Sequence, residues 1–298
     1  MKAVVLLLLA HLAFAGDWFL FTSFRKNGET GVFFALSEDG RKWTPLKNNE
    51  PWIKPKHTGM LMRDPFLTRG KDGTWHLIWT WGWDRKETGG NLKIGYSSSK
   101  DLLNWSPQKE IRVFQNEPTA RNAWAPEAVW DDAKGEWIIF WSTTVRHTGE
   151  DYDHRLYAMK TRDWITFSEP KLWFDPGFNC IDATLVRNGK RWIMVFKDER
   201  KTPEMKNLRL AFADTLAGPW TSVTEPFSDS WVEGPTVTKI NGDWMIYFDR
   251  YREHRYGALR TKDWKTFEAV PVSFPDDHRH GTVVSITQQE AQTLRSQQ

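Results

Sequence analysis

The sequence predicts an all-β fold, a five-bladed β-propeller whose C-terminal strand completes the N-terminal blade. Three observations carry that prediction. Two short elements recur along the chain in fixed order, tight-turn dipeptides precede most copies, and the first copy lacks a strand that is present only at the far end.

Each repeat is built in the same way. A short first strand opens it: Asp64 to Arg69, Pro126 to Asp131, Asp182 to Arg187 and Gly234 to Lys239. A turn follows, marked by Asp72-Gly73, Lys134-Gly135, Asn188-Gly189 or Asn241-Gly242. Glycine supplies the positive φ that a two-residue hairpin requires. An aromatic alternating strand comes next: Asp17 to Phe24, Thr74 to Gly82, Glu136 to Thr143, Arg191 to Glu199 and Asp243 to Tyr251. The third strand then runs into a corner led by an acidic residue and closed by Trp or Phe, as in FALSEDGRKWT from Phe34 and YAMKTRDWITFS from Tyr157. The copy at Asp17 has no first strand before it, and Gly281 to Thr287 has no second strand after it. Pairing the two closes a ring of four-stranded blades and removes the open sheet edges.

Composition narrows the setting. Lys2, the apolar run from Val4 and the small-x-small Ala13-Phe14-Ala15 read as a secretory signal peptide over 1–15, leaving 16–298 as a single exported propeller domain, periplasmic or extracellular. That apolar run is too short to span a bilayer, and no later segment is long enough to do so. Cys180 is the only cysteine, so packing rather than a disulfide must hold the core, and its thiol reads as a small buried hydrophobe. The net charge is +3 with both signs interspersed, and no basic stripe of the kind that nucleic acid requires is present. Tryptophan is abundant, 19 of 298 residues, and most of it is expected between the sheets, with a few rings left for stacking on sugars.

In a propeller the first strands line the central channel, so the residues at their entrances converge on one mouth. Here these are Arg63-Asp64-Pro65, Trp124-Ala125-Pro126-Glu127, Ile181-Asp182-Ala183, Glu233-Gly234-Pro235 and Arg279-His280-Gly281. One carboxylate at a strand start is ordinarily a turn former. Several in one pocket push their pKa values apart, which lets one act as an acid while another acts as a base.

This ordered set, Asp-Pro, Trp-Ala-Pro-Glu, Ile-Asp, Glu-Gly-Pro and His-Gly on successive blades, resembles glycoside hydrolase family 43 over essentially the whole mature chain. The resemblance implies that Asp64 is the general base, Glu233 the general acid, and Asp182 the carboxylate that tunes and orients the acid. It also implies inversion of configuration, with roughly 6.5–9.5 Å between acid and base for the attacking water. Many members place the base near the mature N-terminus; here almost a full blade precedes it, so the ring is cut open at another point. His280 matches the histidine that the family places near the channel axis. No cofactor is expected, and His278-x-His280 is too short a constellation to carry a metal site; a structural cation in the channel near His280 is what the resemblance allows.

A second ring of expected sugar contacts comprises Arg63, Trp83, Arg121, Trp124, Glu127, Phe178, Tyr251, Arg279 and His280, with Lys197 and Glu199 ending a second strand nearby. The expected activity is exo-hydrolysis of arabinofuranosyl or xylosyl residues in plant polysaccharides or oligosaccharides. The alternatives are a carbohydrate-binding propeller without catalysis, a galactosidase or anhydrogalactosidase, and a phosphorolytic relative in which Arg63, Arg121 and Arg279 hold phosphate. Sugar, linkage, exo against endo action and oligomeric state stay open.

Overall fold

The computed structural model describes residues 18–57, 59–82, 92–146 and 152–297. The expected signal peptide and Trp83 lie outside the described residues. The chain is all-β, in five antiparallel sheets arranged as the blades of a propeller. The N-terminal blade contributes β1 (Trp18–Arg25), β2 (Phe33–Ser37) and β3 (Thr44–Pro45). The second holds β4 (Arg63–Arg69), β5 (Trp75–Thr80), β6 (Lys93–Ser99) and β7 (Lys109–Arg112), and the third β8 (Trp124–Asp131), β9 (Glu136–Thr143), β10 (Arg155–Thr161) and β11 (Lys171–Phe174). The fourth holds β12 (Cys180–Asn188), β13 (Arg191–Asp198) and β14 (Asn207–Ala213). The fifth holds β15 (Glu233–Ile240), β16 (Asp243–Arg250), β17 (Arg255–Thr261) and β18 (Glu268–Ala269).

Strand β19 (His278–Ile286) lies antiparallel against β1, from Trp18 opposite Ile286 to Arg25 opposite His278. The C-terminus therefore supplies the innermost strand of the blade that the N-terminus begins. Helix α1 (Gln288–Arg295) follows, started by a capping box in which Thr287 accepts from the Glu290 N–H and Glu290 accepts from the Thr287 N–H. Its Ala291 and Leu294 are buried in the cluster that contains Leu20, Trp75 and Ile286.

The Asp-led corners share one mechanism. A single carboxylate oxygen of Asp39, Asp101, Asp163 or Asp263 accepts from two successive backbone N–H groups, at 2.7–2.9 Å. The fourth blade departs from the expected four strands. Its corner runs through Gly218-Pro219, where proline has no N–H to donate, and only a bridge between Phe212 and Thr221 stands where the outer strand would pair.

Aromatic side chains fill the spaces between blades; Trp75, Trp79 and Trp141 are among the largest fully buried groups. Trp79 packs so closely on β6 that a Cβ at Gly95 would sit 1.9 Å from its ring. Cys180 is buried within the cluster formed with Phe140, Phe174 and Phe196. Among the described residues no helix is long and apolar enough to cross a membrane.

Candidate active site

All five innermost strands carry the same irregularity at the mouth. Their pairing with the second strand slips by one residue between Arg63 and Phe66, Trp124 and Glu127, Ile181 and Thr184, Glu233 and Thr236, and Arg279 and Thr282. This β-bulge re-aims the side chains at the strand entrance toward the channel. In four blades the residue inside the bulge is left-handed: Asp64 (φ 48), Ala125 (φ 46), Asp182 (φ 53) and Gly234 (φ 56). Aspartate tolerates this conformation better than most residues, and Pro65, Pro126 and Pro235 keep the preceding residue out of the right-handed helical region. Two of the three expected catalytic carboxylates thus stand on strained backbone, which folds retain where the surroundings over-determine it.

The second strands support these bulges from behind. Thr80, Ser142, Lys197 and Asp249 pair with Arg63, Trp124, Ile181 and Glu233, and each follows the first Trp of its strand by five residues. Thr80 Oγ1 accepts from the Ala125 N–H of the next blade (2.8 Å) while donating to Asp64 Oδ2 (2.7 Å). Ser142 Oγ accepts from the Asp182 N–H (3.1 Å), and Asp249 Oδ2 accepts from the His280 N–H (3.3 Å). Lys197 has no acceptor to offer. The Gly234 N–H bonds Asp182 Oδ2 instead (3.1 Å), and the lysine reaches Glu233 Oε2 (3.0 Å).

These residues surround a cavity of about 440 Å³ lined by Asp64, Asp182 and Glu233 from three blades, with Arg63, Trp124, Lys197, Glu199, Tyr251, Arg279 and His280. The His280 ring stands between two of the carboxylates, its Nδ1 3.5 Å from Asp64 Oδ1 and 3.8 Å from Asp182 Oδ2. A chain of alternating charges runs through the wall. Asp249 Oδ2 accepts from Arg279 Nε (3.0 Å), Arg279 Nη2 reaches Glu233 Oε1 (3.3 Å), and Glu233 meets Lys197. Lys197 continues to Glu199 (2.8 Å), which Lys206 pairs in turn. Lys197 is 2% exposed and lies under the Tyr251 ring, 4.8 Å from its centroid. Its ammonium is held charged, because the Glu233, Glu199 and Asp182 carboxylates outweigh the cost of its burial.

The carboxyls divide electrostatically. Burial, reinforced by the charges of Glu233 and Asp64, pushes Asp182 up to about 6 against the pull of His280 and Lys197. Burial would also raise Glu233, but Lys197, then His280 and Arg279, bring it down to about 2. Glu233 is therefore the ionised partner of two cations, Lys197 and Arg279. Tyr251 is raised to about 12 by burial, so its hydroxyl stays protonated and able to donate.

Ten of the residues expected at or near the site line this cavity: Asp64, Asp182, Glu233, Arg63, Trp124, Tyr251, Arg279 and His280, with Lys197 and Glu199. Three others stand off its wall. Glu127 is buried behind the bulge of its strand, beside Thr184 and Asp182, and burial holds its carboxyl well above the usual range. Arg121 lies over Tyr152, 4.5 Å from the ring centroid, and Tyr152 in turn packs on Trp124. Phe178 is covered by the guanidinium groups of Arg200 and Arg209 and packs on Phe196. Lys26, Asn27 and Thr80 also line the cavity and went unnoticed in the sequence. Asn27 holds Arg63, accepting from its Nη1 (2.9 Å).

Gly234 combines a left-handed φ with close approach: a Cβ there would sit 2.4 Å from His280 Cγ. Gly234→Ala is expected to cost about 1–3 kcal/mol of stability. Gly177→Ala, also at positive φ but facing open space, should lower the melting temperature less. Equal losses in thermal denaturation would contradict this account of Gly234.

The family model described as "Probable glycosyl hydrolase domain", related to glycosyl hydrolase family 43, matches residues 16–292. An α-L-arabinofuranosidase of Bifidobacterium longum subsp. longum is 29% identical over 223 residues, which is 61% of this chain and 21% of that protein. The chain thus spans about a fifth of the length of this curated relative. The fold is shared with an exo-1,5-α-L-arabinanase from a bovine ruminal metagenomic library, at TM-score 0.59 and 16% identity over 86% of this chain and 93% of that one. It is shared also with an exo-β-1,3-galactanase from Clostridium thermocellum, at TM-score 0.62 and 13% identity over 85% of this chain and 59% of that one. With the match running through all five blades, this chain belongs to the glycosyl hydrolase 43-related family.

Proposed function

We propose that the protein is an exported, inverting, exo-acting glycosidase of the arabinofuranosidase or xylosidase type. The observation that carries this reading is the placement of Asp64, Asp182 and Glu233 around one cavity by three separate blades. In this reading Asp64 takes a proton from water as that water attacks the anomeric carbon. Its Oδ2 is fixed by Thr80 and its Oδ1 faces His280. Glu233 delivers a proton to the departing oxygen, and Asp182 steadies the acid by holding the adjacent Gly234 N–H. The chemistry is carried by protein carboxyls and requires no cofactor.

The pairing of Glu233 with Lys197 and Arg279 sets a condition on this mechanism. Burial favours the neutral acid and the two cations oppose it, so Glu233 must take up a proton before the leaving oxygen departs. A phosphorolytic reading is less well supported, since Arg63 is engaged by Asn27, Arg121 by Tyr152, and Arg279 by Asp249 and Glu233. The kinship to an arabinofuranosidase favours arabinofuranosyl substrates, whereas galactanases share the fold alone.

A screen of 4-nitrophenyl α-L-arabinofuranoside, β-D-xyloside and β-D-galactoside tests the reading. Turnover of the first or second is expected; turnover of the galactoside alone would redirect the specificity. Sugar binding without turnover of any glycoside would mark a non-catalytic propeller.

A further inference from the structure

We propose that Asp249 is a positioning residue for the proton-donating step, holding the Arg279 guanidinium so that its charge is shared between Asp249 and Glu233. This inference rests on the glycosidase reading above and assigns a role to a residue that does not line the cavity. Asp249 is 0% exposed and lies directly across from Glu233 in the β15–β16 pairing. Its Oδ2 accepts from both Arg279 Nε and the His280 N–H, while its Oδ1 is buried with no hydrogen-bond partner.

Comparison with the other blades shows why the fold alone does not account for this carboxylate. At the equivalent position Thr80 and Ser142 accept the next blade's bulge N–H with a neutral hydroxyl. A serine at 249 would meet the same backbone need without the cost of burying a charge. What the carboxylate adds is a counter-charge for Arg279, whose Nη2 reaches Glu233. Without it the full Arg279 charge falls on an acid that Lys197 already pairs, and both cations oppose its proton.

Around Asp249 stand Arg279, Glu233 and Tyr256, whose phenol is raised by burial and by the Asp249 charge. Around Glu233 stand Lys197 and Glu199 from β13, Asp182 from β12, Asp64 from β4, Arg279 and His280 from β19, and Tyr251 just beyond β16.

Asp249→Asn and Asp249→Ser test the assignment with two glycosides of one sugar, one with a 2,4-dinitrophenyl leaving group and one with an alkyl leaving group. Dinitrophenolate departs without a proton, whereas the alkoxide needs one. In both variants kcat on the alkyl glycoside is expected to fall about 100-fold, the lower end of what general-acid assistance supplies, with KM little changed and dinitrophenyl turnover retained. Asp249→Ser keeps the backbone support found at Ser142 but leaves Arg279 without its buried counter-charge, so its melting temperature should fall below that of the wild type while cooperative unfolding is retained. Equal losses on both glycosides, unchanged turnover of the alkyl glycoside, or failure of both variants to fold would overturn the proposal and leave the glycosidase reading standing. Absence of wild-type turnover on either glycoside would overturn both.

Discussion

Glu233→Gln is expected to lower kcat on alkyl or oligosaccharide substrates by about 10²–10⁴-fold while sparing much of the activity on a dinitrophenyl glycoside. Glutamine keeps the size of the side chain and an acceptor oxygen for Lys197, but it cannot give up a proton to the leaving oxygen. Asp64→Asn should lose a comparable factor on both substrates, because activation of water is needed whatever departs. The contrast assigns the roles, since the two residues sit in one cavity and a nonspecific disturbance would affect both substrates alike. A Glu233→Gln enzyme with near-normal turnover of alkyl glycosides would remove Glu233 from the acid role.

Deleting residues 279–298 is expected to abolish cooperative folding. The deletion removes nearly all of β19 and so unpairs β1, exposing a strand edge beside buried Phe19 and Phe21. It also strips Val283, Ile286, Ala291 and Leu294 from two core clusters. At ~1.5–3 kcal/mol for each large aliphatic side chain, this loss is comparable to the whole stability of a typical domain, ~5–15 kcal/mol. Arg279 and His280 leave the cavity with the strand, so any residual fold would lack two of the groups that face the site's carboxylates. A truncated protein that melts cooperatively near the wild-type temperature would contradict the closure.

The ring closure was legible because a repeat with a missing strand at one end and an unmatched strand at the other admits one pairing. The carboxylates were legible because each stands at the same place in its repeat. The bulges were not, although Asp64-Pro65, Ala125-Pro126 and Gly234-Pro235 carried the signal, a left-handed-tolerant residue or Ala before Pro at three entrances. Asp249 was hidden because an acidic residue at a strand end reads as solvent-facing; aligning the second strands on their Trp sets it beside Thr80, Ser142 and Lys197. Helix α1 was missed despite the Thr287-x-x-Glu290 capping box. Glu127, Arg121 and Phe178 show the limit of position along the chain: near an entrance, side-chain direction is set by the bulge and by packing against the neighbouring blade.

The central claim is that Asp64 and Glu233 work as a base and an acid on a water-mediated, single-displacement reaction. Proton NMR of the sugar released in the first minutes of turnover, before mutarotation, tests it most directly. The account predicts that the first anomer formed has the configuration opposite to that of the substrate. First-formed product with the substrate's own configuration would contradict it, because retention requires a covalent intermediate on a carboxylate that here is assigned to activating water.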